Sequence, residues 1–310
     1  MMARRARACC LLLGLLALLA GCSSPTFVYN RLDFLLPWYI QSYADLDREQ
    51  EDYLDELLDP FLRWHRTQEL PCYATLVDRA ENMLSSDALS AGDIDGLMRA
   101  FESAWYRTEA EALERLLALG EKLTDKQIAA FLAELEERHK DLEKEYLPRS
   151  DDEFFDDSYD AMVDTAQDFL GRLQPPQRDL LRAGSRELKR ADDVWLAERA
   201  AFLQRLASLL ERKPGWQQGV REIIATRDTA VSAQYTELLN YNVAVLQGLA
   251  ANVLNIRSQR QDARVRKRLA GYRNDFITLA VQGGSEGGAH CAAAQSLPGP
   301  LAQQSTAGEL

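Results

Sequence analysis

Apolar residues recur every three or four positions along most of the chain, from about residue 30 to residue 281. One such series consists of Leu97, Phe101, Trp105, Thr108, Ala112, Leu116 and Leu119. This spacing places the apolar residues on one side of an α-helix, and charged residues occupy the opposite side. Because no stretch alternates as a strand would, the pattern predicts an all-α fold, an irregular bundle of about eight amphipathic helices. The predicted helices are 27–36, 47–66, 71–85, 91–119, 125–146, 151–172, 175–211 and a long region 216–281 that is broken near Ser258.

Several predicted helices begin with a polar motif that is typical of a capping box. In this motif the side chain before the helix accepts a hydrogen bond from a backbone N–H of the first turn. The side chain three residues later reaches back to the first residue of the motif. We therefore predict three capping pairs, namely Asp47 with Gln50, Thr124 with Gln127, and Ser258 with Gln261. Pro60 lies inside a predicted helix and is expected to kink or split it.

The N-terminus has the features of a bacterial export signal. Three arginines precede a ten-residue apolar run, 11–20, which is too short to cross a bilayer as a helix, since about 20 apolar residues are required. The next residues resemble the lipobox of bacterial lipoproteins, with Leu19, Ala20 and Gly21 before Cys22. The resemblance implies cleavage before Cys22 and covalent attachment of lipid to it, and Ser23 resembles the outer-membrane class. The alternative is an ordinary cleaved signal peptide with an incidental cysteine.

These features predict the organisation and location of the chain. Residues 1–21 are expected to be a lipoprotein signal peptide, 22–29 a lipidated linker, 30–281 a single all-helical periplasmic domain, and 282–310 a disordered tail rich in glycine, proline, alanine and glutamine. The expected location is the envelope of a Gram-negative bacterium, on the outer membrane and facing the periplasm. The lipid bilayer, contacted through the acylated cysteine, is the first expected partner.

Composition and charge narrow the possible functions. With 46% hydrophobic and 27% charged residues, the chain is an ordinary folded protein. Its net charge of −12 becomes −15 once the three arginines of the signal are removed, which argues against nucleic-acid binding. Three histidines are few for metal or triad chemistry, and no nucleotide-binding or hydrolase motif occurs. We expect no catalytic residue, no metal, no small-molecule substrate and no cofactor beyond the lipid on Cys22.

Two segments leave alternatives open. A basic segment near the C-terminus either pairs with the protein's own acids or meets an anionic lipid or an acidic partner. An aromatic segment close to the predicted anchor either lies at the membrane interface or docks into the core. The basic residues are Arg257, Arg260, Arg264, Arg266, Lys267, Arg268 and Arg273. The aromatic residues are Phe27, Tyr29, Phe34, Trp38, Tyr39 and Tyr43.

Cysteine pairing is also open from the sequence. Cys72 and Cys291 are the two cysteines that follow Cys22, and the expected compartment permits a disulfide. They lie far apart along the chain, so either they form a bridge or both remain free thiols.

Two family resemblances bear on function. The segment 123–127, Leu-Thr-Asp-Lys-Gln, is similar to the LTxxQ motif of the Spy/CpxP periplasmic stress proteins, which are small helical proteins that act as chaperones or stress-signalling modulators without ATP. A broader resemblance, to an uncharacterised family of proteobacterial lipoproteins, rests on segments 29–33, 37–39, 46–50, 64–66 and 69–71. That second resemblance implies a fold and a location but no activity.

Two hypotheses of function follow. In the first, the protein is a non-enzymatic, lipid-anchored helical protein that binds other proteins in the periplasm, in an assembly or chaperone-like role. In the second, it is a structural or signalling accessory that serves one envelope partner. A general holder suppresses the aggregation of unrelated unfolded proteins, whereas a dedicated accessory co-purifies with one protein.

Overall fold

The computed structural model describes residues 25–285 and residue 291. The predicted signal peptide, the lipobox and Cys22 lie outside the described residues, as does most of the predicted tail. All regular secondary structure in the described part is helical, which confirms the all-α class. The helices are α1 (Pro25–Tyr29), α2 (Leu32–Gln41), α3 (Arg48–Trp64), a π-helix (His65–Glu69), α4 (Leu70–Met83), α5 (Ala91–Lys122), α6 (Asp125–Tyr146), α7 (Asp151–Leu170), α8 (Pro175–Glu187), α9 (Asp192–Leu209), α10 (Trp216–Ala225), α11 (Ala233–Asn255) and α12 (Gln259–Gln282).

The prediction of about eight helices was wrong. Because α3, the π-helix and α4 run on without a break, the described residues form eleven continuous helices. The predicted helix 27–36 is replaced by α1 and α2, and the region 175–211 divides into α8 and α9. The region 216–281 breaks near Ser258 as predicted, between α11 and α12, and has a further break between α10 and α11. Residues 25–29, part of the predicted linker 22–29, form α1.

One of the missed breaks has a tertiary cause. The side chain of Asn242, on α11, accepts from the backbone N–H of Lys189 at 2.9 Å and donates to the carbonyl of the same residue at 2.8 Å. These bonds take the place of helical backbone partners, so the chain can leave the helix between α8 and α9 without losing hydrogen bonds. A local pattern of apolar residues contains no sign of a partner 53 residues away.

The π-helix explains why Pro71 does not end a helix. Leu70 donates its backbone N–H to the carbonyl of His65, five residues back. A proline ring inside an α-helix collides with the carbonyl four residues earlier and lacks an N–H. The wider π turn just before Pro71 therefore lets α3 continue into α4. Pro60 lies within α3 and does not split it.

The largest buried cluster lies where α7, α8, α11 and α12 meet the end of α4, and it includes Leu170, Leu181 and Val265. A second cluster, around Leu54 and Leu58 of α3, holds α2 and the end of α5. Cys72 on α4 forms a disulfide with Cys291, with their Cα atoms 5.4 Å apart and a sequence separation of 219. The structure thus decides between the two alternatives for these cysteines in favour of the bridge.

Candidate functional site

An open apolar cavity of about 560 Å³ lies among α4, α5, α7, α8, α11 and α12. We call it the methionine groove, because its lining includes Met83, Met98 and Met162, the three methionines that follow Met2 in the sequence. Among the described residues that line the groove, Thr165 is the one with a polar side chain and none is charged. The volume lies in the range of about 300–1,000 Å³ that is typical of ligand sites.

The groove lies between two sets of packed helices. On one side, α5 packs against α4 and α11, and on the other side α7 packs against α8 and α12. The floor between them comes from residues that also belong to the largest core cluster, such as Leu181, Leu249 and Val253. The methionine groove is therefore a part of the main core that opens to solvent.

The mouth of the groove exposes large apolar side chains. Met98, Phe169 and Leu246 each line the groove and are between 36% and 39% exposed. Phe101 and Trp105 follow Met98 at helical spacing on α5, and they too are exposed. Contiguous exposed apolar surface of this kind marks an interaction site in many proteins. Methionine side chains are flexible and polarisable, so a surface that contains several of them adapts to ligands of different shape.

A row of acids borders the mouth along α7. Each of these acids directly precedes an exposed lining residue of α7, and none has an ion-pair partner within residues 25–285. The acids are Asp160, Asp164 and Asp168, and the lining residues are Ala161, Thr165 and Phe169. The groove thus offers an apolar floor beside a row of aspartates, and one cation, Arg268, lies 5.1 Å from the centre of the Phe169 ring at the same rim.

The capping residues named from the sequence lie at the first turns of α3, α6 and α12. The side chains of Asp47, Thr124 and Ser258 accept from the backbone N–H groups of Gln50, Gln127 and Gln261, at 3.0, 3.3 and 3.3 Å. Each of these glutamines in turn accepts from the backbone N–H of its capping partner, at 3.0, 2.8 and 2.9 Å. Both halves of the capping box are therefore present at each helix.

The same glutamines also join helices in pairs, which sequence reasoning missed. Gln50 and Gln127 bond to each other through their amides, and Gln127 also donates to the carbonyl of Asp45 at 2.6 Å. Gln177 and Gln261 form a second such pair, in which Gln261 donates to the carbonyl of Arg172 at 3.1 Å. Gln177 is fully buried, so its amide has no access to water. The glutamine that ends each predicted capping pair was the available signal, but the pairing partners lie 77 and 84 residues apart.

The basic segment is partly engaged within the protein. Arg257 and Arg266 share Asp262, at 2.7 and 2.8 Å, and both donate to the carbonyl of Leu84 at the end of α4. Burial alone would raise the pKa of the Asp262 carboxyl, but the hydrogen bonds from the two arginines outweigh burial and lower it.

The other basic residues divide into two groups. Arg273 pairs with Asp78 on α4 at 2.6 Å, and Arg268 donates to the carbonyl of Asp168 at 2.6 Å. Arg260, Arg264 and Lys267 have no ion pair with the described residues. The segment therefore fastens α12 to α4 and α7, and four of its seven cations, Arg260, Arg264, Lys267 and Arg268, form no ion pair within this part of the chain.

The aromatic segment is also partly docked on the protein and partly exposed. The hydroxyl of Tyr29 bonds to Nδ1 of His65 at 2.8 Å, while Phe34 and Trp38 are about two-thirds exposed. Burial lowers the pKa of His65 to about 4 and raises the pKa of Tyr29 to about 12, so both side chains are neutral at pH 7. One part of the segment thus docks on the body of the protein and another part faces outward.

Residues 25–285 contain no cluster of three or more histidine, cysteine, aspartate or glutamate side chains that could hold a metal ion. Within the same part of the chain, none of the helices combines the length and the apolar character needed to span a membrane.

Comparison with known proteins identifies a family for this chain. A family of unknown function, DUF6279, matches residues 42–236, which is more than half of the chain and covers α3 to α10 and the start of α11. No curated protein and no solved structure matches the chain.

Proposed function

Since this chain belongs to the DUF6279 family, whose function is unknown, we propose a function from the methionine groove. The protein is a lipid-anchored, non-enzymatic protein of the bacterial cell envelope that binds apolar segments of other proteins in an assembly or chaperone-like role. It is attached to the outer membrane through Cys22 and faces the periplasm. It uses no cofactor apart from the covalent lipid.

The observation that carries this proposal is the open, uncharged lining of the methionine groove. Burying one Leu, Phe or Met side chain is worth about 1.5–3 kcal/mol, so an apolar segment with two or three such residues would gain enough to bind reversibly. The flexible side chains of Met83, Met98 and Met162 suit a site that accepts more than one sequence. The row of free aspartates on α7 favours segments that carry lysine or arginine beside their apolar residues.

Two features support the location. The arginines, the short apolar run and the residues Leu19 to Cys22 together have the pattern of a lipoprotein signal. The disulfide between Cys72 and Cys291 fits an oxidising compartment such as the periplasm, because disulfides are rare in the cytosol.

The experiment compares aggregation of two unrelated client proteins, unfolded by heat, with and without the purified full-length protein. We expect the wild-type protein to suppress aggregation of both clients, and Met98→Glu to lose most of that effect because it places a charge at the mouth of the groove. Leu116→Glu is the matched control, since Leu116 is also an exposed apolar residue of α5 but lies outside the groove lining. Its suppression should equal that of the wild type.

The alternative function is that of an accessory dedicated to one envelope partner. If the wild-type protein suppresses the aggregation of neither client, a photo-crosslinking residue placed at position 98 in intact cells tests whether the groove has a dedicated partner. One recurrent adduct would identify a dedicated partner of the groove. Equal activity of Met98→Glu and wild type in the aggregation assay would show that the groove is not the binding site.

A further inference from the structure

Two helices near the N-terminus present an uncovered aromatic surface. Phe27 on α1 is 48% exposed, and Phe34 and Trp38 on α2 are 68% and 66% exposed. We call these three residues the aromatic face. Phe34 and Trp38 are four residues apart, so they lie on the same side of α2. Among the described residues, Phe34 and Trp38 are the two most exposed aromatic side chains.

The opposite side of α2 is held by the protein core. Leu36 and Ile40 pack against the cluster that contains Ala44, Leu46 and Leu54. Because Leu36 and Ile40 are two residues after Phe34 and Trp38, they are rotated by about 200° from them around the helix axis. The aromatic face is therefore turned outward by a packed helix and is not the result of a loose one.

α1 is fixed to the body by polar contacts. Thr26 donates to Asp275 on α12 at 2.8 Å, and Tyr29 bonds to His65 at 2.8 Å. Arg66 donates to Asn30 at 2.9 Å and lies over the ring of Tyr29. The start of the described chain is thus attached to α12 and the π-helix, and the aromatic face has a defined position next to it.

The length of chain before α1 identifies what covers this face. Cys22 precedes Thr26 by four residues, which span at most about 14 Å when fully extended. Lipid on Cys22 would therefore hold α1 within about that distance of the bilayer surface. Tryptophan and other aromatic side chains are favoured at the boundary between headgroups and acyl chains.

We infer that Phe27, Phe34 and Trp38 insert into the interfacial region of the membrane that carries Cys22, and that they hold the helical body in one orientation on it. The occupant of the aromatic face is a lipid bilayer, and not another protein. This inference rests on the lipid attachment in the proposed function and is independent of the methionine groove. Arg31, whose guanidinium lies 5.0 Å from the centre of the Phe27 ring, is placed to meet lipid phosphates beside the face.

The experiment uses the full-length lipoprotein in vesicles of phosphatidylethanolamine and phosphatidylglycerol at a ratio of about 3:1, chosen for their anionic content. A fraction of the lipid carries a nitroxide near the glycerol backbone, which quenches tryptophan fluorescence only at short range. We expect clear quenching of the wild-type protein and loss of most of the quenched signal in Trp38→Phe. Trp105→Phe is the matched control, because Trp105 is 61% exposed on α5, and it should leave the quenched signal unchanged.

The outcomes distinguish a failure of the lipid anchor from a failure of the membrane contact by the aromatic face. A protein that does not float with the vesicles would contradict the lipid anchor and the inference with it. A protein that floats but is quenched to the same extent with and without Trp38 would overturn the inference and leave the anchor standing. If Trp38 is shielded from aqueous iodide but not quenched by the nitroxide lipid, a protein surface covers the face and the inference is wrong. Equal melting temperatures of Trp38→Phe and wild type exclude a folding defect.

Discussion

His65 shows how a single, partly buried side chain links distant parts of the protein. Its two ring nitrogens contact the hydroxyls of Tyr29 and Tyr73, at 2.8 and 3.3 Å, and it belongs to the π-helix. Its position next to Trp64 in the sequence is typical of a packed or edge histidine. The two tyrosine partners could not be predicted, because the contact with Tyr29 depends on how α1 folds back over α12.

The burial of His65 predicts a loss of stability in mild acid. Its pKa is about 4 in the folded protein, against about 6.5 in an unfolded chain, so between these values the unfolded state binds more protons. The free energy of unfolding should therefore decrease as the pH falls, by about 1–2 kcal/mol between pH 7 and pH 5. His65→Gln removes this titration, and its urea unfolding curves at the two pH values should differ less. If the wild type and His65→Gln lose equal stability, His65 is not the group responsible.

At the scale of helices, boundaries that are set by neighbouring residues could be predicted from the sequence, and boundaries that are set by tertiary contacts could not. The residues that begin α3, α6 and α12 can be read from the sequence because a capping box is made within four consecutive residues. The end of α8 cannot be read in this way, since the side chain that satisfies Lys189 comes from α11. The continuity of α3 with α4 was missed for a related reason, because Pro71 is a local signal for a break that the π turn overrides.

The basic segment attaches α12 to the end of α4, and this contact predicts that substitutions of two neighbouring cations differ in their effect on stability. Arg266 pairs with Asp262 and donates to the carbonyls of Leu84 and Glu81, so it neutralises the end of α4. Arg266→Ala should lower the free energy of unfolding by about 1–2 kcal/mol. Lys267→Ala, with no ion pair in the described residues, should change it by less than about 0.5 kcal/mol.

Chemical denaturation of both variants at low and high salt tests this difference. Much of the Arg266 effect should persist at high salt, because its bonds to backbone carbonyls are partly buried and screened less than surface ion pairs. Equal losses for Arg266→Ala and Lys267→Ala would indicate that the whole segment acts only through its charge.

At the scale of the whole molecule, the methionine groove is the feature that sequence reasoning did not find. Its lining residues come from six helices between Ala80 and Leu269, and on each helix they look like part of an ordinary apolar stripe. Periodicity predicts that such a stripe faces the core, but it does not show where the core opens to solvent. The all-α class follows from local patterns, whereas the opening depends on how α5 and α7 are placed by the helices that they pack against.

The lipid anchor is the premise shared by the proposed location and the membrane contact of the aromatic face. The apolar run before Cys22 is too short to span a bilayer, so we expect the lipid to be attached at Cys22 and to provide the membrane attachment. In cells grown with labelled palmitate, the wild-type protein should incorporate the label and Cys22→Ala should not. Cys9→Ala, a cysteine substitution within the predicted signal, is the matched control and should be labelled like the wild type.

If the Cys22→Ala protein still incorporated palmitate, the lipid would be attached to another residue. The chain between Cys22 and α1 would then no longer support membrane contact by α1 and α2. Loss of the label together with release of the protein from outer-membrane fractions is the result we expect. Several acyl chains on one cysteine hold a protein firmly, since each buried methylene contributes about 0.8 kcal/mol. The aromatic face would then act mainly on orientation: Trp38→Phe should alter how the body lies on the membrane without releasing it, whereas Cys22→Ala should release it.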